Sequence, residues 1–228
     1  RPPGGGRGPD AGHRRGAPTG AHRRARRHRR PHPHAPGLGA PPPPDNRPPV
    51  AGSTWAPDEQ MLATVFSHLQ GYKMIVAPHE LQRTEETLRF FNAFKVVKYS
   101  EMEGKNLAEY DVLVLDTIGV LSKVYKYSTL SYIGGAFKTG LHNILEAAVF
   151  GVPLFFGPKY QKFNEAVELV QQKGAFSIHT PDEMEGTVRR FDGEPDFYDK
   201  TCTICRHYVE ANIGACDKIF NHIKNSIQ

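Results

Sequence analysis

YIGGAFKTGLHNILEAAVFGVPLFFGP, residues 132 to 158, reads as a strand, a glycine-rich turn, a helix starting at His142 and a second strand. A strand that feeds a helix and then another strand is the unit from which parallel sheets are built. Glycines at 134, 135 and 140 let the backbone approach a ligand closely. A helix beginning at His142 would aim unpaired N–H groups and a partial positive charge at that ligand. Asn143 and Glu146 lie three residues apart, so a helix sets them on one face of its first turn. A carboxylate there can accept hydrogen bonds from a ribose diol. The layout suits an anionic ligand and points to a nucleotide-sugar site.

The same alternation extends in both directions. Strands are expected near 49–52, 73–77, 94–99, 111–115, 130–133, 152–156 and 175–178, several of them short apolar runs of the kind that parallel sheets bury on both faces. Helices are expected at 57–69, 84–91, 119–127, 142–150, 163–173 and 181–191, with Pro57 and Pro181 suited to first turns and Gly71, Gly151 and Gly174 to helix ends. This predicts an α/β domain over residues 49–228, a Rossmann-like doubly wound parallel sheet with right-handed crossovers. In such sheets ligands sit at the carboxyl ends of the strands.

Polar motifs fall at those ends. After the first strand comes GSTWAPDE, residues 52–59, where Ser53 and Thr54 offer hydroxyls to a phosphate or sugar or else cap the helix ahead of Pro57. APHE, residues 77–80, puts Pro78 and His79 at the end of the second strand. DTIG, residues 116–119, lets Thr117 and Gly119 open a helix towards a phosphate, with Asp116 as a cap.

Composition divides the chain near residue 48. The segment 1–48 holds eleven arginines and no lysine against Asp10 and Asp45, a net of +9, whereas the whole chain is +5, so the other 180 residues carry a net −4. Rich in Pro, Gly and His, with Leu38 as its one large apolar residue, that segment cannot bury enough surface to offset its ordering entropy and is expected to be disordered. Its arginines would suit a polyanion, but no aromatic is interleaved for base stacking. A stretch without a selected role is the simpler reading, and no specific nucleic acid is expected. No apolar run approaches the roughly 20 residues needed to span a bilayer, so any membrane role should be peripheral. Cys202, Cys205, His207 and Cys216 look like a metal cluster, yet Tyr198, Cys202, Cys205, Val209, Ile213, Cys216, Phe220 and Ile223 repeat at helical spacing. The cysteines are therefore expected as core residues of one apolar stripe, and no metal site is expected.

Taken together, GSTW at 52–55, APHE at 77–80, DTIG at 116–119, GGAFKTGLHNILE at 134–146 and FGPKYQKFNEA at 156–166 resemble the carboxy-terminal half of Kdo transferases. These GT-B glycosyltransferases move 3-deoxy-D-manno-octulosonic acid (Kdo) from CMP-Kdo to a lipid A precursor at the cytoplasmic face of the bacterial inner membrane. The resemblance implies that Ser53 and Thr54 lie near the donor, that Pro78 and His79 flank the cytidine, and that Thr117 and Gly119 approach the phosphate. Gly135, His142, Asn143 and Glu146 would complete the pocket, with Glu146 on ribose. It implies CMP-Kdo as donor, no further cofactor, and a catalytic base and lipid-binding surface in an amino-terminal half not visible in this sequence. This chain is thus expected to hold the donor without the complete active centre. Three positions depart from the family's pattern: no arginine separates Pro78 from His79, leaving Arg83 or Lys138 to supply that charge, while Val120 and Leu141 stand where an acidic residue and a glycine are usual.

Overall fold

Along β1 (Val50–Thr54) successive side chains enter different cores: Val50 joins one apolar cluster and Ala51 the other. The same split recurs in β5 (Ser131–Ile133), at Tyr132 and Ile133, and in β6 (Leu154–Phe156), at Phe155 and its two neighbours. Strands that are apolar on both faces must be covered on both, which is why their sequence lacks polar alternation. The computed structural model describes residues 47–228 apart from 70, 139, 215–218, 221 and 225–228. The expectations for residues 1–46 and for Cys216 fall outside the described residues.

The remaining strands are β2 (Met74–Pro78), β3 (Val96–Lys98), β4 (Val112–Val114) and β7 (Ala175–Ser177). All neighbours pair in parallel, in the order β3-β4-β2-β1-β5-β6-β7. One face is packed by α1 (Ala56–His68) and α6 (Pro181–Gly193), through Leu62, Val65, Met184 and Val188. The other is packed by α4 (Leu145–Ala148), α5 (Asn164–Gln172) and part of α7 (Pro195–Ala211). The short helices α2 (Thr84–Phe90) and α3 (Leu121–Val124) complete the set. From β1 the chain passes to β2, on to β3 at the sheet edge and back to β4 between them, then crosses to β5 on β1's other side. The loops leaving β1 and β5 therefore part in opposite directions and open a crevice at the strands' carboxyl ends.

Local chemistry sets the helix boundaries. Pro57 lies in the first turn of α1, and Pro181 in that of α6, where Thr180 Oγ1 accepts from the Glu183 N–H at 3.3 Å. Helix α5 ends on Lys173, itself left-handed at φ 68°, rather than on Gly174. Gly174 serves packing instead, since a Cβ there would stand 2.9 Å from Ile204 and 3.2 Å from the Cys205 sulfur. Cys205 is fully buried, donates to the Gly174 carbonyl at 3.1 Å, and burial pushes its thiol up to about 12. The stripe expected to run on to Ile223 stops sooner: α7 ends at Ala211, and Ile213, Phe220 and Ile223 are exposed. Gly214, just past that end, has a φ of 91°, which favours glycine.

Candidate functional site

The crevice is built outward from a buried carboxylate. Asp58, in the first turn of α1, is fully buried; its Oδ1 accepts from the Tyr132 hydroxyl at 2.7 Å. Its Oδ2 accepts from the Gly135 N–H at 3.0 Å and the Trp55 N–H at 2.9 Å. One side chain thus ties the β1 loop, α1, β5 and the glycine-rich loop together. Burial pushes the carboxyl above its ordinary value, against the three hydrogen bonds and the Arg83 charge.

Beside it, Glu59 is also fully buried. The Arg83 guanidinium holds it through two hydrogen bonds, Nη2 to Oε2 at 2.9 Å and Nη1 to Oε1 at 3.1 Å, while the hydroxyls of Thr54 and Thr87 donate to Oε1. Arg83 also donates to the Thr54 carbonyl and to Glu86, and its guanidinium lies 5.5 Å from the Trp55 ring centroid. With four hydrogen bonds committed to Glu59, Glu86 and Thr54, Arg83 is not the spare cation that the sequence left open. The Thr54 hydroxyl is likewise turned inward, onto Glu59 and the Ala77 carbonyl, and does not face the crevice.

In front of this network three rings from three loops meet. Trp55 follows β1, His79 follows β2 and His142 lies beyond β5. His79 and His142 stack with centroids 4.2 Å apart; Trp55 and His79 are 4.9 Å apart. Trp55 Nε1 donates to His142 Nε2 at 3.3 Å. An indole N–H only donates, so this nitrogen of His142 is unprotonated and its proton resides on Nδ1. Burial, with the neighbouring His79 second, lowers the His142 pKa. The unfolded chain binds the proton more readily, so this residue's contribution to stability is lost as pH falls through about 6.5 and below. His142→Phe should flatten the fall in unfolding free energy between pH 7.5 and 5.5. Equal slopes for the two proteins in urea titrations would refute that assignment.

The glycine-rich loop fits because its residues lack Cβ atoms. A Cβ on Gly134 would sit 2.2 Å from the Ser53 carbonyl oxygen, and one on Gly135 would sit 2.3 Å from the Gly140 oxygen and 2.8 Å from the His142 ring. Gly135 and Gly140 also have φ of 96° and 128°, and Ser53 is left-handed at 54°. Five of the loop's amides are used internally: Gly134 N–H goes to the Gly52 carbonyl, Gly135 to Asp58, Lys138 and Gly140 to the Gly135 carbonyl, and His142 to the Gly134 carbonyl. The expected helix at His142 begins only at Leu145 and lasts four residues, because the Asn143 side chain accepts the Leu145 N–H at 3.0 Å and His142 is drawn towards Trp55. Asn143 and Glu146 are nevertheless neighbours, joined by a 3.2 Å hydrogen bond from Asn143 Nδ2 to Glu146 Oε1, and both are exposed.

Thr117 and Gly119 occupy the loop after β4, with Gly119 at φ 84°. The helix they precede has four residues and starts at Leu121. Asp116 does not cap it, but accepts from the Ser100 N–H and hydroxyl. Among the described residues no side-chain hydrogen bond joins Thr117 to the ring stack or to Asn143 and Glu146. The connection is indirect: Leu121 and Tyr125 pack over Gly52, and the Tyr125 pKa is raised by burial, with the Glu146 charge second.

The structure thus gathers Ser53, Pro78, His79, Gly135, His142, Asn143 and Glu146 at one end of the sheet around β1 and β5. Trp55, Asp58, Glu59 and Tyr132 escape the sequence reading as site-building residues, and Arg83, expected only as a candidate phosphate cation, instead holds Glu59. The signals available were the chain's one tryptophan in a loop after a strand and two adjacent acids at the start of an amphipathic run.

No family model matches the chain. It is 29% identical over 150 residues to a bifunctional glycosyltransferase/methyltransferase of Fusobacterium nucleatum, covering 64% of this chain and 23% of that protein. It is 28% identical over 144 residues to the 3-deoxy-D-manno-octulosonic acid transferase of Aquifex aeolicus, covering 59% and 39% respectively. The chain thus spans well under half the length of these relatives. In three dimensions it is similar to the carboxy-terminal CMP-Kdo binding domain of WaaA from Acinetobacter baumannii, with TM-score 0.62 and 24% identity over 72% of this chain and 90% of that domain. The chain is thus similar in sequence to Kdo transferases, and its doubly wound body has the fold of the carboxy-terminal CMP-Kdo binding domain of WaaA.

Proposed function

We propose that this body holds the nucleotide-sugar donor, CMP-Kdo, for a glycosyltransferase that transfers Kdo to a lipid A precursor in lipopolysaccharide synthesis. The observation that carries the reading is that the exposed, hydrogen-bonded Asn143–Glu146 pair directly follows the His79–His142 stack in the chain, at the β1–β5 switch of the sheet. Flat rings suit a base, and a carboxylate already oriented by an amide suits a ribose diol. Ser53, Pro78, Gly135, Thr117 and Gly119 would border the donor; Thr54 would act through Glu59 and the loop backbone. In the reaction an acceptor hydroxyl attacks the anomeric carbon, CMP leaves, and a carboxylate removes the hydroxyl proton. None of the described residues is assigned as that base. The proposed work is at the cytoplasmic face of the inner membrane, and no described helix is long and apolar enough to cross a membrane.

Thermal-shift titration of the chain with CMP, UMP and UDP tests the reading. CMP is expected to stabilise it most; stabilisation by UDP alone would instead assign a UDP-sugar enzyme of the same architecture. Glu146→Ala should weaken CMP binding by about 1–3 kcal/mol, the worth of hydrogen bonds to a charged group. It should leave melting without ligand nearly unchanged, because Glu146 is exposed. Unaltered affinity by calorimetry would remove Glu146 from the site.

A further inference from the structure

An anion bound at the crevice needs positive charge, and several of the usual sources in this type of site are already engaged. The N–H groups of Gly134, Gly135, Lys138, Gly140 and His142 are hydrogen-bonded within the fold. The helix that follows has four residues, too few for a substantial dipole. Arg83 is held by Glu59, Glu86 and the Thr54 carbonyl. Exposed lysines remain in two adjoining loops: Lys138 between Gly135 and Gly140, and Lys159 and Lys162 after β6.

Those loops are tied to each other. The Lys159 N–H donates to the Ala136 carbonyl at 2.9 Å, and the Lys159 ammonium lies 3.5 Å from the Lys138 carbonyl. A Cβ on Gly157 would stand 2.8 Å from the Phe137 ring, so only glycine allows this approach. Lys138 and Lys159 therefore leave the same stretch of loop edge. Among the described residues no carboxylate forms an ion pair with either, or with Lys162, whereas Lys98 on β3 has Glu101 and Glu85. Two like charges fixed near each other without a counter-charge, on a body of net −4, are relieved by an incoming anion.

We propose that Lys138 and Lys159 together are the cationic contact of this crevice for an oxyanion of the bound ligand. Resting on the donor reading above, that oxyanion is the phosphate of CMP or the carboxylate of the acidic sugar attached to it. The lysines take the place of the charge that Arg83 cannot supply, and they discriminate for anionic donors rather than building the loop.

The test uses the full chain and the double variant Lys138→Gln with Lys159→Gln, titrated with cytidine, CMP and CMP-Kdo by calorimetry or NMR. Both side chains are exposed, so the variant should melt with the wild type. A loss of about tenfold or more, as expected for charge-assisted hydrogen bonds, should appear for CMP and CMP-Kdo alike but not for cytidine if phosphate is read. It should appear for CMP-Kdo alone if the sugar carboxylate is read. In either case the wild-type affinity should fall with added salt more steeply than that of the variant. Equal affinities of variant and wild type for all three ligands, or an equal loss that includes cytidine, would overturn the lysine assignment while leaving the donor site standing. A wild-type chain that binds neither CMP nor CMP-Kdo would remove the donor reading, and this inference with it.

Discussion

Arg83→Ala is expected to lower the unfolding free energy by about 3–5 kcal/mol, the usual consequence of removing one partner from a buried ion pair. Glu59 would be left fully buried with a charge that two threonine hydroxyls cannot neutralise. Only 11% of the Arg83 side chain is exposed, so solvent does little to weaken the pair. The same guanidinium also holds the Thr54 carbonyl and covers Trp55, so CMP affinity should fall along with stability. A second variant separates charge from shape: Glu59→Leu combined with Arg83→Leu leaves no orphaned ion. Thr54 and Thr87 retain the carbonyls of Ala77 and residue 83 as acceptors, at 3.3 and 3.0 Å in the present structure. The double variant should therefore be more stable than Arg83→Ala in urea denaturation. If Arg83→Ala melts like the wild type, the ion pair does not organise the β1 turn.

Asp58→Ala is the second large effect, expected at about 3 kcal/mol or more. It strands three donors at once, the Tyr132 hydroxyl and the N–H groups of Gly135 and Trp55, and an unsatisfied buried donor costs about 1–3 kcal/mol. Because Gly135 opens the loop that ends at His142, the ring stack should loosen, and NMR shifts of the His79 and His142 rings should move together. Asp58→Asn keeps the volume but turns an amide N–H towards a donor, so an intermediate loss is expected. The pH dependence has its own sign. Burial raises the folded carboxyl's pKa, so folding favours the protonated form. The contribution of Asp58 to stability then grows as pH falls from its folded value towards about 3.9, opposite in sense to His142. Wild-type stability in Asp58→Ala by chemical denaturation would sink the anchoring role.

The seven strands and their order of appearance were legible in the chain because each is a short apolar run, and double-sided burial leaves few other readings. Local sequence also placed Pro57 and Pro181 correctly in first turns of helices. Errors came where side chains compete with backbone. A helix from His142 was reasonable by spacing, but Asn143 takes the Leu145 N–H for itself and His142 joins Trp55, a residue 87 positions away. Thr54 looked like a ligand hydroxyl after a strand, yet Glu59 and Ala77 hold it inside.

Composition and spacing over a few residues suffice for the α/β alternation, the glycine positions of the loop and the family likeness. Which polar groups are engaged became visible only in the folded chain. Whether an arginine meets a ligand or a buried glutamate, and whether a loop amide faces solvent or Asp58, depends on partners distant in the chain. The fold alone brings those partners within hydrogen-bonding distance.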